Sequence, residues 1–210
     1  MAFARFASAA QARADEVGIG SLSSGRSAVF FDRDGVLNKA VVREGRPYPP
    51  SNASELVLDE DARESLTRLN RLFSLLFVVS NQPDVARGSV TRDRVEGLNA
   101  QLMERLPITA FYVCYHDDAD QCECRKPLPG LLLKAASEYD VDLTRSYMVG
   151  DRWRDVEAGI AAGCTTILID RGYDETLRAI PHATVNSLAE AAAYILNTEA
   201  DRGAAAKGVA

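Results

Sequence analysis

Short, continuous apolar runs recur along the chain, and longer amphipathic stretches separate them. The runs occupy 27–31 (SAVFF), 73–80 (FSLLFVVS), 108–115 (ITAFYVCY), 146–150 (SYMVG) and 165–169 (TTILI). A run that is apolar at every position, rather than at every second one, is typical of a strand buried on both faces. The pattern therefore predicts five strands of a parallel sheet that helices cover on both sides.

The stretches between these runs carry apolar residues at helical spacing. They predict five helices, at about 59–72, 92–106, 129–139, 153–162 and 187–197. Thr91 can cap the second helix, and Ser187 with Glu190 three residues later is a capping-box sequence for the last one. The alternation of strand and helix predicts an α/β fold with a doubly wound, mostly parallel, Rossmann-like sheet.

The two ends of the chain lack this alternation. Residues 1–26 contain no continuous apolar core, so we interpret them as a flexible N-terminal arm and not as a signal peptide. Residues 199–210 are small and polar, which predicts a flexible C-terminal tail, and we expect a single domain over 27–198. No apolar run approaches the roughly 20 residues that cross a bilayer, so we expect a cytoplasmic protein without a membrane partner.

Acidic side chains outnumber basic ones, and the formal net charge is -6. A protein that coats nucleic acid needs a basic face, so this balance argues against nucleic acid as a partner. Local arginine and lysine side chains can still bind a small anion in an acidic protein. We therefore expect a small-molecule substrate, and we expect the chain to act as a monomer.

Polar clusters follow four of the predicted strands. They are Asp32-Arg33-Asp34-Gly35, Ser80-Asn81-Gln82, Arg125-Lys126 and Gly150-Asp151. Ligands of open parallel sheets bind beyond the carboxyl ends of the strands, so the four clusters should meet at one edge. Crowded carboxylates need a cation there, and hard oxygen ligands favour magnesium. The alternative is that Asp32 and Asp34 are ordinary turn acids.

The same clusters have the composition of a phosphoryl-transfer site, because an ionised carboxylate can attack phosphorus to form an aspartyl phosphate. The stretches FFDRDGVLN, VVSNQ, CRKPLPG and VGDRWRDVEAG resemble, in this order, the four motifs of the haloacid dehalogenase superfamily of phosphohydrolases. The resemblance covers residues 27–172. It implies a phosphomonoesterase built on the Rossmann-like core of that superfamily.

The resemblance also assigns roles to residues. It implies that Asp32 is the nucleophile and that Asp34 is the general acid and then the general base. Ser80 and Lys126 would hold the oxygens of the transferring phosphoryl group. Catalytic Mg²⁺ would be bound by Asp32, by the backbone carbonyl of Asp34 and by Asp151.

A second possible metal site lies in the loop 114–124. Its candidate ligands follow the pattern C-x-H-x5-C-x-C and are Cys114, His116, Cys122 and Cys124. Alternate residues of an extended segment point the same way, so Cys114 and His116 can reach one ion together. The two later cysteines would complete a tetrahedral Cys3His site, which is typical of structural Zn²⁺. The alternative is that these residues are free thiols beside a turn.

The cysteine loop that leads into C-R-K-P is similar to heptose bisphosphate 7-phosphatases and to histidinol-phosphate phosphatases. These enzymes lack a large cap domain, so substrate choice would fall to short loops, here 38–50, 82–89 and the cysteine loop. The candidate substrate contacts are Asn38, Asn81, Gln82, Arg125 and Arg152. NQPDVARG is closer to the heptose enzymes, and on that resemblance Arg125 would contact the second phosphate of a sugar bisphosphate.

Several substrate-facing positions depart from the heptose enzymes. The first loop reads KAVVREGRPYPP, Arg152 stands where lysine is usual, and Pro83-Asp84 replaces the usual Ser-Gly. Arg43 and Arg46 in the first loop could bind an anion or could be ordinary exposed charges. The predicted activity is removal of the 7-phosphate of D-glycero-D-manno-heptose 1,7-bisphosphate, and another small sugar phosphate remains an alternative substrate.

Other functions compete with this prediction. Histidinol phosphatase needs an acidic entrance for a cationic amine, and Asp117, Asp118 and Asp120 could form one. A phosphatase acting on nucleic-acid ends would need a basic, aromatic groove. A receiver-type signalling module also gathers aspartates and a lysine, but the second aspartate of D-x-D supplies a hydrolytic base. A zinc-stabilised binding module is the other non-enzymatic alternative.

Overall fold

A seven-stranded sheet forms the centre of the structure, a computed structural model that describes residues 3–7, 25–44 and 46–207. Its strands are β1 (Phe3–Ala7), β2 (Val29–Phe31), β5 (Leu76–Asn81), β6 (Ala110–Cys114), β7 (Tyr147–Gly150), β8 (Thr165–Ile169) and β9 (Ala183–Val185). A separate hairpin consists of β3 (Val41–Arg43) and β4 (Arg46–Tyr48). The helices are α1 (Ala62–Asn70), α2 (Arg92–Arg105), α3 (Gly130–Tyr139), α4 (Trp153–Ala162) and α5 (Leu188–Lys207).

The spatial order of the sheet is β1-β6-β5-β2-β7-β8-β9, and the six strands from β6 to β9 are parallel. All five strands predicted from the apolar runs are present. Phe31 and Val78 pack in an apolar layer with α1, α2 and α5, whereas Phe30 and Phe77 pack in a second layer with α3 and α4. Burial on both faces explains why these strands are apolar at every position.

The strand order fixes where the polar clusters meet. The central strand β2 pairs with β5 on one side and with β7 on the other. Asp32 therefore leaves the sheet between the strand that carries Ser80 and the strand that precedes Asp151. This is the switch point at which open α/β sheets bind ligands.

The helices begin where the capping residues predict. Thr91 accepts a hydrogen bond from the backbone N–H of Arg94 at 3.4 Å. Ser187 accepts one from the backbone N–H of Glu190 at 3.1 Å, and the Glu190 carboxylate reaches back to the N–H of Asn186. None of the described helices is long and apolar enough to cross a membrane.

Regular secondary structure is present in the described residues at both ends of the chain. Residues 3–7 of the expected flexible arm form β1, which pairs antiparallel with β6 and so covers an otherwise open sheet edge. Residues 199–207 of the expected flexible tail continue α5. Glu199 and Arg202 hydrogen-bond the Tyr147 hydroxyl at 2.7 and 3.1 Å, which ties this last part of the helix to the sheet. The rest of the predicted arm and residues 208–210 lie outside the described residues.

The predicted lack of a large cap agrees with the segment between β2 and β5. Over its described residues, this segment contains the β3–β4 hairpin and α1 and no further helix or strand. The hairpin was not predicted, because its strands are only three residues long. It lies in the first loop, where a short substrate-facing element was expected.

Candidate active site

Lys126 lies at the centre of the polar edge and is buried. Its ammonium group lies 2.8 Å from Asp32 Oδ1 and 2.6 Å from Asp155 Oδ1, and it donates to the Val79 carbonyl at 2.7 Å. Burial acts to lower the pKa of Lys126, but the Asp155 and Asp32 carboxylates outweigh it and raise that pKa above its usual value. Lys126 is therefore a fixed positive charge beside the predicted nucleophile.

Asn81 places this lysine. Its side-chain amide donates to the carbonyl of Lys126 at 2.9 Å, and its side-chain oxygen accepts from the backbone N–H of Lys126 at 3.0 Å. The amide thus acts like one more pair of strand hydrogen bonds between the end of β5 and the segment after the cysteine loop. Asn81 also lines the pocket above Asp32, so it keeps a face toward any substrate.

Three buried carboxylates, from Asp32, Asp151 and Asp155, have ligand atoms within 4.8 Å of one another. Burial, and then repulsion from Asp155 and Asp34, raises the pKa of Asp32 to about 6, although Lys126 opposes the shift. Burial and repulsion from Asp32 and Asp155 raise the pKa of Asp151 well above its usual range. One lysine cannot neutralise three carboxylates, so the cluster fits a divalent cation.

The hydrogen bonds indicate which oxygens are available to such a cation. Asp155 uses one oxygen for Lys126 and the other for the backbone N–H of Arg152, at 3.1 Å, and so holds the lysine and the start of α4. Both Asp151 oxygens are buried and make no hydrogen bond of normal geometry to the described residues. The hydroxyl of Tyr173 is the nearby donor, and it opposes the rise in the pKa of Asp151 without cancelling it. Orphaned carboxylate oxygens of this kind are the ligands that a magnesium ion would use.

Gly35 allows the backbone that follows Asp32 to approach Asp151. Its φ is +89°, a left-handed conformation that favours glycine, and a Cβ at this position would overlap the carboxylate of Asp151. The glycine therefore brings the Asp34–Gly35 backbone against Asp151. In this arrangement, the backbone carbonyl of Asp34 could bind a cation together with the carboxylates of Asp32 and Asp151.

Asp34 is held by a set of donors beneath the pocket. Its carboxylate accepts from the Arg33 guanidinium at 2.9 Å, from Asn38 Nδ2 at 3.0 Å and from Gln82 Nε2 at 2.8 Å. Gln82 Nε2 also lies 2.9 Å from Ser80 Oγ. Asn38 and Gln82, which were predicted to contact substrate, are buried and instead orient Asp34 and Ser80.

The pocket above Asp32 has a polar floor, a wall from the hairpin and a basic wall. Its lining residues are Asp32, Asp34, Pro47, Tyr48, Pro49, Asn81, Lys126, Arg152, Arg154 and Asp155. Arg152, a predicted contact, is therefore in place, and its guanidinium is paired with Glu175. The side chains of Arg43 and Arg46 lie outside the described part of the chain.

Arg125 pairs with residues of the cysteine loop. Its guanidinium donates to Asp118 at 2.7 Å and to the His116 carbonyl at 3.4 Å, and Arg125 is not among the described residues that line the pocket. The arginine is therefore used to brace the cysteine loop. A direct contact with substrate would require this ion pair to open.

Two contributors were not predicted from the sequence. Arg33 is fully buried and bridges Asp34 to the side-chain oxygen of Asn99 on α2, at 2.8 Å. The sequence signal for this contact was Asn99, a polar residue beside the apolar face of the predicted helix 92–106. Arg154 lines the pocket from the first turn of α4, and no sequence feature separated it from an ordinary exposed helix arginine.

The cysteine loop brings its four predicted ligands together at the end of β6. Cys114 Sγ lies 3.7 Å from both His116 Nδ1 and Cys122 Sγ, and Cys124 Sγ lies 3.3 Å from His116 Nδ1 and 3.4 Å from Cys122 Sγ. Bonds of about 2.3 Å from one zinc ion to its sulfur ligands imply tetrahedral edges of roughly 3.8 Å. All four cysteines of the chain are free thiols. The cluster therefore fits a four-coordinate cation.

Comparisons with known proteins place these features in a family. Residues 123–191 match the family model described as HAD-hydrolase-like. A D-glycero-β-D-manno-heptose-1,7-bisphosphate 7-phosphatase of Yersinia pestis is 33% identical over 178 residues, which are 78% of this chain and 92% of that protein. The chain belongs to this phosphatase family. The resemblance to haloacid dehalogenase phosphohydrolases is thereby confirmed, as is the predicted class of phosphoric monoester hydrolase.

Two further relatives support the assignment. The enzyme of the same name from Escherichia coli K12 is 32% identical over 187 residues, or 83% of this chain and 90% of that protein. A crystal structure of the D,D-heptose 1,7-bisphosphate phosphatase of B. bronchiseptica, complexed with magnesium and phosphate, superposes with a TM-score of 0.68 and 26% identity. That superposition covers 82% of this chain and 99% of the other.

Proposed function

We propose that this phosphatase removes the 7-phosphate of D-glycero-D-manno-heptose 1,7-bisphosphate and depends on Mg²⁺. The observation that carries the proposal is a single pocket with Asp32 and Lys126 at its floor and two arginines, Arg152 and Arg154, in its wall. A substrate with two phosphates needs positive charge both at the reacting group and away from it. The names of the relatives, which are heptose bisphosphate 7-phosphatases, point to the same substrate.

In the first step, an oxygen of Asp32 attacks the 7-phosphorus while the bond from phosphorus to the sugar oxygen breaks. Asp34 gives a proton to that leaving oxygen. In the second step, Asp34 takes a proton from water as the water attacks the aspartyl phosphate, which releases inorganic phosphate and restores Asp32. Arg33, Asn38 and Gln82 support this exchange because they fix the Asp34 carboxylate beside the pocket.

Lys126 and Ser80 hold the phosphoryl oxygens in this proposal. Lys126 stays protonated through the cycle, since its raised pKa reflects two carboxylate neighbours. Ser80 accepts a hydrogen bond from Gln82, which leaves its own proton directed to a phosphoryl oxygen. Asp32, Asp151 and the Asp34 carbonyl would hold Mg²⁺, which offsets the repulsion between the phosphate and the carboxylate nucleophile.

The loop acids argue against histidinol phosphate as the better substrate. Asp117 is paired with Arg87 at 2.7 Å, Asp118 is paired with Arg125 at 2.7 Å, and Asp120 accepts from the backbone of the same loop. Acids that are already neutralised cannot attract a cationic amine strongly. The pocket wall is instead basic, which favours a second phosphate.

We further propose that the four-residue cysteine–histidine cluster binds Zn²⁺ and has a structural role. Four protein ligands leave no coordination position for water, so this ion would not act in catalysis. It would order the segment that leads directly into Arg125 and Lys126. Its free thiols require a reducing compartment, so a cytoplasmic location is part of the proposal.

A phosphate-release screen tests the proposed substrate. The wild-type protein with Mg²⁺ is given both anomers of the heptose 1,7-bisphosphate, histidinol phosphate and hexose bisphosphates. The proposal expects the highest kcat/KM for a heptose bisphosphate, with phosphate released from the 7-position. An equal or higher value for histidinol phosphate, or release from the 1-position, would contradict it.

A further inference from the structure

Arg154 is held over the pocket by an aromatic side chain and not by a tight ion pair. Its guanidinium carbon lies 4.6 Å from the centre of the Trp153 ring, and the other cationic neighbour of that ring, Arg178, lies 3.8 Å from the centre. Stacking on a ring orients the plane of a guanidinium and leaves its N–H groups available at the edge. Arg154 therefore has a preset direction and remains able to bind an anion.

The ionic partners of the neighbouring arginines differ from those of Arg154. Arg152 is paired through two nitrogens with Glu175, and Arg125 contacts Asp118 at 2.7 Å. Arg154 reaches the same Asp118 at the longer distance of 3.6 Å, and it meets the Lys126 carbonyl at 3.4 Å. One carboxylate thus faces two guanidinium groups, and one positive charge remains uncompensated.

The electrostatics agree with an excess of positive charge at this point. Burial lowers the pKa of Arg154, Asp118 opposes that shift, and the nearby Arg125, Arg152 and Arg178 lower the pKa further. The side chain of Arg154 is 26% exposed, so its environment is partly dry, and interactions with an anion are stronger there than in open water. A phosphate entering this pocket would relieve the repulsion among the guanidinium groups.

We propose that Arg154 is the specificity-determining residue that binds the phosphate group that is not transferred. The inference rests on the proposed function, because it concerns the second phosphate of a sugar bisphosphate. It adds Arg154 to Arg152 in the basic wall of the pocket as a direct contact to that phosphate. The phosphate that reacts remains at Asp32 and Lys126, which line the floor of the same pocket.

The test compares Arg154→Gln with Arg178→Gln. Arg178 stacks on the same tryptophan but is not among the described pocket-lining residues, so its loss controls for the aromatic packing. Each variant is assayed with the heptose 1,7-bisphosphate and with the heptose 7-phosphate. Loss of one charge-assisted contact predicts that Arg154→Gln raises KM for the bisphosphate about ten- to a hundredfold, with little change in kcat.

The monophosphate substrate and the other variants serve as controls. KM for the 7-phosphate should be nearly unchanged in Arg154→Gln, Arg178→Gln should resemble wild type with both substrates, and Arg154→Lys should restore part of the lost affinity. If wild type prefers the bisphosphate and Arg154→Gln keeps that preference, the inference is overturned while the proposed function stands. If wild type itself shows no preference for the bisphosphate, the proposed substrate and the inference both fall.

Discussion

Two clusters of potential metal ligands lie at the same edge of the sheet, and they differ in how complete they are without an ion. The cysteine–histidine cluster comes from one loop, and its four ligand atoms already contact one another at 3.3–3.7 Å. The aspartate cluster is assembled from the ends of two different strands. Its Asp151 oxygens are buried and make no hydrogen bond of normal geometry within the described part of the chain.

The difference indicates what each cluster contributes. A closed set of four soft ligands from a single loop is suited to hold that loop, because every coordination position is taken by the protein. An open set of hard oxygens beside a pocket leaves positions for substrate, and the cation that we propose there would offset the repulsion between Asp32 and Asp151. The two sites should therefore respond in opposite ways when a ligand is removed.

The largest expected effect comes from Asp32→Asn. An amide cannot form the acyl phosphate, so kcat should fall by at least about a thousandfold in a phosphate-release assay. The change also removes a buried, repelled carboxylate, so the melting temperature should not fall. Asp93→Asn, at an exposed position on α2, is the matched control and should keep full activity. Substantial turnover in Asp32→Asn would refute its role as nucleophile.

Cys122→Ser should have the opposite profile. We expect loss of bound zinc in metal analysis and a melting temperature lower by roughly 10 °C, because the loop loses its cross-link. Activity should fall only about tenfold, since Lys126 is misplaced and not removed.

The control for this change is Cys164→Ala. Cys164 is buried outside the cluster, so its loss should leave the zinc content unchanged. Purified wild-type protein without any zinc, or a Cys122→Ser variant that keeps it, would contradict a structural zinc site.

Mild acid should have a smaller effect, which concerns the aspartate cluster. Burial raises the pKa of Asp32 to about 6, so protons compete with Mg²⁺ for this carboxylate below that pH. Between pH 7 and pH 5, the Mg²⁺ concentration for half-maximal activity should rise about tenfold, because the ionised fraction falls by that factor. A magnesium requirement independent of pH would show that Asp32 is not a ligand.

Much of this arrangement could be predicted from the sequence because it follows from rules that act along the chain. Strands that are apolar at every position give a parallel sheet, and the polar residues after Phe31, Val79 and Gly150 then have to meet at one edge. The spacing of Cys114 and His116 likewise follows from the geometry of an extended segment. In both cases, backbone direction alone decides which residues converge.

The remaining features depend on side-chain direction and packing, which spacing does not determine. Asn38 and Gln82 sit next to the site in sequence, but they turn inward to Asp34 and not outward to the pocket. Arg125 is drawn away by Asp118, and Arg154 is held in place by Trp153. The orientations of these four side chains depend on contacts that form only when the chain has folded.

The central claim is that Asp32 carries the phosphoryl group on a cation centre that it shares with Asp151. The most direct test is a crystal structure with Mg²⁺ and beryllium trifluoride, which mimics an acyl phosphate. We predict that beryllium is bonded to a carboxylate oxygen of Asp32 and that Asp32 and Asp151 ligate the same magnesium ion. Beryllium on another residue, or an Asp151 too distant to share the ion with Asp32, would contradict the account.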